Sequence, residues 1–393
     1  MLDIAIIGGG PVGSRVAYQT AGMGYDVAVF EKRSIIGQKP CCTGIISHEC
    51  VQHFDIPEKV IIKHIDTATL VPPSGDSLRI SRSETQAYVL DRSAFNLDLA
   101  HKAQTKGAQY YLNSNIEDLS CYSDKVVIKV NHNSKIFDVE SRIAVLSAGF
   151  SSPLIKRLGV GKIEHVVGGA QTEIEGIGLN GVEIFFNQEI APGYFAWLVP
   201  IKDKKYLAGL LTRQSPGKRL RTWLTQLEIA GRIRTGKHQI HFGGIPLKPL
   251  AKTYANRLLI VGDSAGQVKP TTGGGIYFGL LAADVAAGVL HNAIREQDFS
   301  ARFLSSYERK WRKKLGHELR MEYLARRLYE RLNNKQIDGL FTRFKTAGIV
   351  DFISKNGNIS FDWHGDLLIA GLKAGLALEI GRIIKLPDNI SGR

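Results

Sequence analysis

Residues 3–31, DIAIIGGGPVGSRVAYQTAGMGYDVAVFE, constrain this chain more than any other stretch. The apolar run Ile4–Ile7 reads as a buried parallel strand, and Gly8, Gly10 and Gly13 follow it in the frame G-x-G-x-x-G. A helix comes next, then a turn at 22–26, a second apolar strand at Val27–Phe30, and Glu31 at its end. Strand, glycine turn, helix, strand and terminal acid form a dinucleotide-binding βαβ unit. Gly8 permits the tight turn, Gly10 admits a pyrophosphate to backbone N–H groups, and Gly13 brings helix and strand close. The helix N-terminus offers its positive dipole end to the phosphates. Glu31 is placed to accept from both hydroxyls of an adenosine ribose and would repel a 2′-phosphate.

A second signal lies about 250 residues downstream, in RLLIVGDSAGQVKPTTGGGIYFGLLAADVAA (257–287). A buried strand delivers Gly262 and Asp263, and the triple glycine Gly273–Gly275 opens an apolar helix. Asp263 is suited to the ribityl hydroxyls of a flavin. Backbone N–H groups at Gly274, Gly275 and Ile276 are suited to the O2 edge of an isoalloxazine ring, where reduction places negative charge. Two separated half-sites indicate FAD, because NAD usually needs one such unit.

The intervening sequence divides the chain. Residues 91–106 predict a helix with Asp91 as N-cap, closed by Gly107. Strands are expected at 109–112, 126–130, 134–140 and 143–147, and alternating strands across 60–90 with a turn at Pro72-Pro73-Ser74-Gly75. From 164 to 245 strands dominate, interrupted by a helix near 217–233, in the manner of an antiparallel sheet. The expected fold is α/β: a discontinuous Rossmann-type FAD-binding domain (1–163 and 246–298), an inserted antiparallel-sheet substrate domain (164–245), and a C-terminal helical region (299–393). Some strands of 60–90 are candidates for the substrate sheet.

The motifs GGGPVGS, KPCCTG, DRSAF and GDSAGQVKPTTGGGI together resemble the geranylgeranyl reductase family, FAD enzymes of the p-hydroxybenzoate hydroxylase-like fold that saturate prenyl double bonds. The resemblance spans roughly residues 1–290. It implies flavin contacts at Val12, Glu31, Cys41, Cys42, Gly44, Arg92, Ile116, Asp263, Gly275 and Ile276. Arg92, at a helix start, suits a pyrophosphate or ribityl group. The family's sheet signature P-x-x-Y-x-W-x-F-P is met by Pro192-Gly193-Tyr194-Phe195-Ala196-Trp197-Leu198-Val199-Pro200, with Phe195 for Tyr and Val199 for Phe. Phe195 and Trp197 share one strand face and are candidates to line an apolar cavity over the flavin. Cys41 and Cys42 are the candidate catalytic thiols, to gate the cavity, tune the flavin or donate a proton; inert buried thiols are the alternative. They lack the C-x4-C spacing of disulfide reductases.

The activity implied is reduction of C=C bonds in a geranylgeranyl-type chain carried on a diphosphate or lipid, with hydride from flavin N5. Rivals of the same fold are an aromatic or quinone monooxygenase and a halogenase; an electron-transfer flavoprotein to quinone is a third. Ser147-Ala148-Gly149 lacks the Asp-Gly of the hydroxylases, and no tryptophan-halogenase signature or iron–sulfur cysteine cluster is apparent. No second G-x-G-x-x-G follows a strand, so the reductant is expected to be a transient NAD(P)H or an acidic ferredoxin-like carrier.

Composition fits this reading: 44% hydrophobic residues, 22% charged, and a formal net charge of +14. Between 301 and 345, thirteen Lys or Arg stand against five Asp or Glu. Such charge favours anionic partners: phosphorylated substrates, acidic redox proteins or anionic lipid. Nucleic acid is not an expected partner. Four cysteines form neither a disulfide framework nor a metal motif. The first strand starts at once, which predicts no leader, and the nearest approach to an apolar run of about 18 residues, Leu367–Ile384, is broken by Lys373, Glu379 and Arg382. The expectation is a cytoplasmic protein that touches a membrane at its surface.

Overall fold

The computed structural model describes residues 1–38, 41–150, 153–346 and 362–363. The Lys39-Pro40 step of the KPCCTG loop, the Leu367–Ile384 stretch and most of the chain beyond 346 lie outside the described residues.

In chain order the elements begin β1 (Leu2–Ile7), α1 (Pro11–Gly22), β2 (Val27–Phe30), β3 (Ile45–Ser47), α2 (His48–His53), β4 (Ile61–Ile65), β5 (Thr67–Val71), β6 (Leu78–Ser81) and β7 (Ala87–Leu90). Then come α3 (Arg92–Thr105), β8 (Gln109–Tyr111), β9 (Ser114–Cys121), β10 (Val126–His132), β11 (Lys135–Leu146) and α4 (Leu154–Arg157). The second half holds β12 (Val166–Glu175), β13 (Val182–Phe185), β14 (Ala196–Lys202), β15 (Lys205–Thr212), α5 (Pro216–Ile229) and β16 (His241–Pro246). It ends with β17 (Tyr254–Ala255), β18 (Leu258–Ile260), α6 (Ile276–Glu296), α7 (Ala301–Tyr329) and α8 (Asn334–Thr346).

The first sheet runs β17-β18-β11-β1-β2-β8, with β9 and β10 hairpinned onto β11. β1 lies parallel to both β2 and β11, and β18 lies parallel to β11. Both faces of its centre are covered, which is why the strands read as unbroken apolar runs. On one face Ile4, Ile6, Val27 and Val29 pack with α1, α3, α6 and α7. On the other, Ala5, Ile7, Ala28 and Phe30 pack with β9, β10 and α4.

The sequence predicts two strands at 134–140 and 143–147, and the structure has one, β11. Its first half pairs antiparallel with β10 and its second half parallel with β1. Glu140-Ser141-Arg142 breaks the apolar run but not the backbone ladder, because Ser141 registers with Val126 on one side and Leu2 on the other.

The second sheet has the order β16-β12-β15-β14-β13-β5-β6. It departs from a purely antiparallel sheet at one pair: β13 runs parallel to β5. From the 60–90 segment, β5 and β6 join this sheet, whereas β4 and β7 form a separate small sheet with β3. α5 covers one face through Leu220, Trp223, Leu224 and Leu227.

α6 is long and apolar enough to cross a membrane by length and composition. Here it is the central core helix: Phe278, Leu280, Ala282, Ala286 and Leu290 are fully buried. α7 packs beside it, burying Leu304, Tyr307, Trp311 and Leu315.

Candidate functional site

The glycine turn is built by steric exclusion. Gly8 holds φ +105°, and a Cβ there would lie 2.6 Å from the Ser147 carbonyl oxygen. A Cβ on Gly13 would lie 2.0 Å from the Gly8 carbonyl oxygen. Gly10 differs: nothing lies within 4 Å of its Cβ position, so its smallness serves no contact within the chain and leaves room for a ligand. Gly10 caps α1 without a side-chain hydrogen bond, leaving the first helical N–H groups open. Glu31 is fixed by two backbone donors, Gly9 N–H to Oε2 (2.8 Å) and Arg33 N–H to Oε1 (3.0 Å). Its remaining lone pairs can serve ribose hydroxyls. The start of β9 is laced to the same corner by Asn113 N–H to Arg33 O and Ser114 N–H to Glu31 O, which brings Ile116 near it. The Ile116 side chain itself is in the core.

The two distant motifs meet at Val12. Cβ positions on Gly262 and Gly279 would lie 2.9 and 2.7 Å from its Cγ2. Asp263 follows Gly262 in the helical turn that comes after β18. No donor among the described residues binds its carboxylate. Burial pushes its pKa up, and Arg92 pulls the other way, so the two groups face one another electrostatically. Arg92 bonds Asn96 Oδ1 through Nη2 (3.2 Å), while its Nε is buried without a partner. A Cβ on Gly44 would lie 3.1 Å from Arg92 Cγ, and one on Gly275 would lie 2.7 Å from Asp263 Oδ1. Gly44, Arg92, Asp263 and Gly275 therefore form one cradle. An orphaned guanidinium N–H and a carboxylate without a protein donor fit a polyhydroxylated, phosphate-bearing group. FAD is the cofactor this arrangement takes: the βαβ corner fits its ADP half and the Asp263–Gly275 cradle its flavin half.

Gly275 is the N-cap of α6, with Gly274 before it and Ile276 as the first helical residue. The glycine run abuts the second sheet: a Cβ on Gly273 would lie 2.4 Å from Ile245 Cδ1 and 3.5 Å from Leu211 Cδ1. Ile245 and Leu211 cluster with Phe195, Trp197, Tyr194, Leu247 and Tyr323. Phe195 precedes β14 by one residue, and its ring centroid lies 5.8 Å from that of Trp197. The indole needs Gly209 opposite it, where a Cβ would fall 2.4 Å from Trp197 Cζ2. Trp197 Nε1 is buried without a partner. An aromatic row continues from Phe195 to Phe186 (6.3 Å) and on to Phe341 (5.6 Å).

Both cysteines of the pair are free. Cys41 Sγ lies 3.6 Å from the His241 carbonyl oxygen on β16, and burial pushes its pKa up to about 11. It is a thiol, not a thiolate, at neutral pH. Cys42 Sγ accepts from Gly44 N–H at 3.4 Å, on the side of the Arg92 cradle.

The sequence reading missed what α7 contributes. Gln267 Oε1 accepts from Gly262 N–H (2.7 Å), and its amide donates to Tyr307 on α7 (2.9 Å). Thr271, at the entry to the glycine run, donates from Oγ1 (2.5 Å) and N (3.2 Å) to Glu322. Glu322 is fully buried, its Oε1 has no partner, and desolvation raises its pKa to about 7. Lys269 pairs with Asp362 beneath the same loop. The only sequence signal was spacing: Tyr307, Trp311, Leu315, Glu318, Glu322 and Arg326 share one helical stripe, in which the ionisable members pass for solvated residues.

This fold and site define an α/β flavoprotein with an apolar wall beside the glycine run. The chain belongs to the family described as lycopene cyclase protein, whose model matches residues 3–348. It is 27% identical over 370 residues to digeranylgeranylglycerophospholipid reductase 1 of Methanococcoides burtonii, covering 90% of this chain and 91% of that one. It is 28% identical to the digeranylgeranylglycerophospholipid reductase of Methanocaldococcus jannaschii, covering 86% and 89%. Among solved structures it is similar to a geranylgeranyl bacteriochlorophyll reductase-like protein of Thermoplasma acidophilum, with a TM-score of 0.85 at 22% identity, over 98% and 99% of the two chains. The resemblance to geranylgeranyl reductases and the α/β flavoprotein fold are thus borne out.

Proposed function

We propose that this chain is an FAD-dependent oxidoreductase that saturates C=C bonds in a geranylgeranyl-type chain carried by a phosphate-bearing lipid or prenyl diphosphate. The observation that carries the reading is the contact of Gly273 with Ile245 and Leu211, which cluster with Phe195 and Trp197 as an apolar wall. The names of the relatives support the same substrate class. When bound, reduced FAD supplies the hydride.

The chain's own residues do the rest. An unactivated alkene offers no carbonyl to polarise, so positioning and exclusion of water matter most. Phe195 and Trp197 hold the chain flat against the flavin half, and the row through Phe186 to Phe341 gives a long tail an apolar path. N–H groups at the α6 N-terminus stabilise anionic charge there. Cys41 keeps its proton at neutral pH and stands at the edge of this wall as a proton-bearing group, with Cys42 on the cradle side. Glu31, Val12, Arg92, Gly44, Ile116 and Asp263 hold the cofactor. The electron donor is NAD(P)H or an acidic carrier docking transiently, and the basic surface rests against anionic membrane during lipid delivery.

Ser147-Ala148-Gly149 lacks the Asp-Gly of the hydroxylases, and Ser147 donates to Ile7 O (3.1 Å) and Gly8 O (3.2 Å), a structural use. The test is to load the protein with FAD, reduce it with dithionite under argon, and add geranylgeranyl compounds. Mass gains in steps of two hydrogens are expected. Oxygen incorporation into a phenol with NADPH consumption, and no prenyl reduction, would overturn the reading in favour of a monooxygenase.

A further inference from the structure

A group of cations that the flavin site does not use lies at one end of the apolar wall. Arg326 on α7 is only 5% exposed. Its guanidinium stacks 3.6 Å from the Tyr194 ring centroid, and its Nε and Nη2 are buried without a hydrogen-bond partner among the described residues. A buried guanidinium with two idle donor nitrogens is costly unless an anion binds it.

Other cations gather around it. Lys248 Nζ lies 4.5 Å from the centroid of Tyr323, whose ring is 5.9 Å from that of His165. Arg213 reaches Glu330 Oε1 at 3.2 Å, the same oxygen that accepts from Tyr194 Oη at 3.0 Å. Arg327 follows Arg326 and is exposed. Burial lowers the His165 pKa first, and Lys248, Arg213 and Arg327 each lower it further, so these three act on one point. Glu164 and Glu330 are the acids nearby. Glu330 is paired with Arg213 and Glu164 with Lys162, which leaves Arg326, Lys248 and Arg327 to meet a phosphate.

The location fits an amphiphile. Tyr194 and Tyr323 belong to the same cluster as Phe195, Trp197 and Ile245. On the other side, a Cβ on Gly266 of the GDSAG turn would lie 2.3 Å from the Lys248 carbonyl oxygen. The cations therefore border both the apolar wall and the flavin-side loops.

We propose that Arg326, flanked by Lys248, Arg327 and Arg213, seats the phosphate or diphosphate of the prenyl substrate; this rests on the prenyl reading above. The guanidinium fork takes two phosphate oxygens, and the exposed cations guide the headgroup in. Tyr194, which stacks on the guanidinium and donates to Glu330, holds it in place.

The test uses full-length, FAD-loaded, dithionite-reduced protein and three substrates: geranylgeraniol, geranylgeranyl diphosphate, and digeranylgeranylglyceryl phosphate in phosphatidylcholine vesicles. Lys248→Glu and Arg327→Glu should lower the ratio of kcat/KM for phosphate-bearing substrate over alcohol at least tenfold, mainly through KM. Lys135→Glu, an exposed cation on β11, should leave that ratio unchanged. Arg326→Gln should act as strongly with its flavin retained, and the two surface variants carry the test if it does not fold. A fall seen with the free diphosphate alone assigns the site to prenyl diphosphates; a fall in vesicles as well assigns it to lipid headgroups. An unchanged ratio in all three cluster variants, with alcohol still reduced, overturns the headgroup site and leaves the reductase reading standing. Wild-type protein that reduces none of the three compounds sinks both.

Discussion

Glu322→Gln is the perturbation whose size follows most directly from the structure. Glu322 is fully buried, its neighbours Lys269 and Thr271 only partly offset desolvation, and its pKa rises from 4.5 to about 7. At 1.36 kcal/mol per tenfold change in ionisation, that displacement is worth roughly 3 kcal/mol. Its sign is set by which state binds the proton. Below pH 4.5 both folded and unfolded chains hold a neutral carboxyl, and wild type bears no penalty. Between about pH 4.5 and 7 the unfolded chain ionises while the folded one does not, and stability drains away. Above pH 7 the loss is complete and constant. Glutamine cannot ionise, and its amide oxygen still accepts from Thr271. The difference in unfolding free energy between variant and wild type should therefore be near zero at pH 4.5 and about 3 kcal/mol in favour of the variant at pH 8. Urea denaturation of both proteins across that range reads it, and titrating groups remote from Glu322 cancel in the difference. A difference that stays flat with pH would refute the burial argument.

Three further outcomes follow from the site. Asp263→Ala should weaken FAD binding by about tenfold or more, since a carboxylate placed for two hydroxyls is worth on the order of 1.5–3 kcal/mol; flavin fluorescence titration measures it, and unchanged affinity removes Asp263 from the cradle. Gly209→Ala puts a methyl 2.4 Å from the Trp197 indole, so the ring must move, at a cost of about 1–3 kcal/mol. FAD retention should survive while prenyl reduction falls, and unchanged turnover would show that the indole does not line the substrate path. Cys41, with a pKa of about 11, should resist iodoacetamide at pH 7.5 and label faster as pH rises above 9, followed by peptide mass spectrometry. Rapid labelling at pH 7 would mean that the thiol is activated.

Where the sequence was legible, the reason is local. Gly8, Gly10, Gly13 and Glu31 lie within one βαβ unit, whose geometry is set by nearest neighbours. Asp91 as N-cap of α3 is equally local: its carboxylate accepts from Ser93 N–H and Ala94 N–H. The junctions were not legible. That Val12 touches Gly262 and Gly279, that β13 runs parallel to β5, and that β11 is one strand all depend on partners far along the chain. Ser141 shows the limit well. In hydropathy it interrupts a strand, and only pairing on both sides makes it part of one.

α7 sharpens the point, because one stripe of one helix changes character along its length. Leu304, Tyr307, Trp311, Leu315 and Leu319 face the core and are buried as a core helix should be. Continuing the same spacing, Glu318, Glu322 and Arg326 are equally buried, although burial penalises charge. A stripe that only needed to pack would continue in leucine. The switch falls where α7 passes the Thr271–Gly275 run and reaches Tyr194 and Tyr323, between the flavin half and the apolar wall. Glu322 spends its burial on holding the glycine run through Thr271, and Arg326 leaves two donor nitrogens unspent beside the wall. An apolar tail with a charged head needs both kinds of surface side by side. The helix supplies the charged half against a sheet that supplies the apolar half, and that division explains why polar residues persist on a face that folding alone would have made hydrophobic.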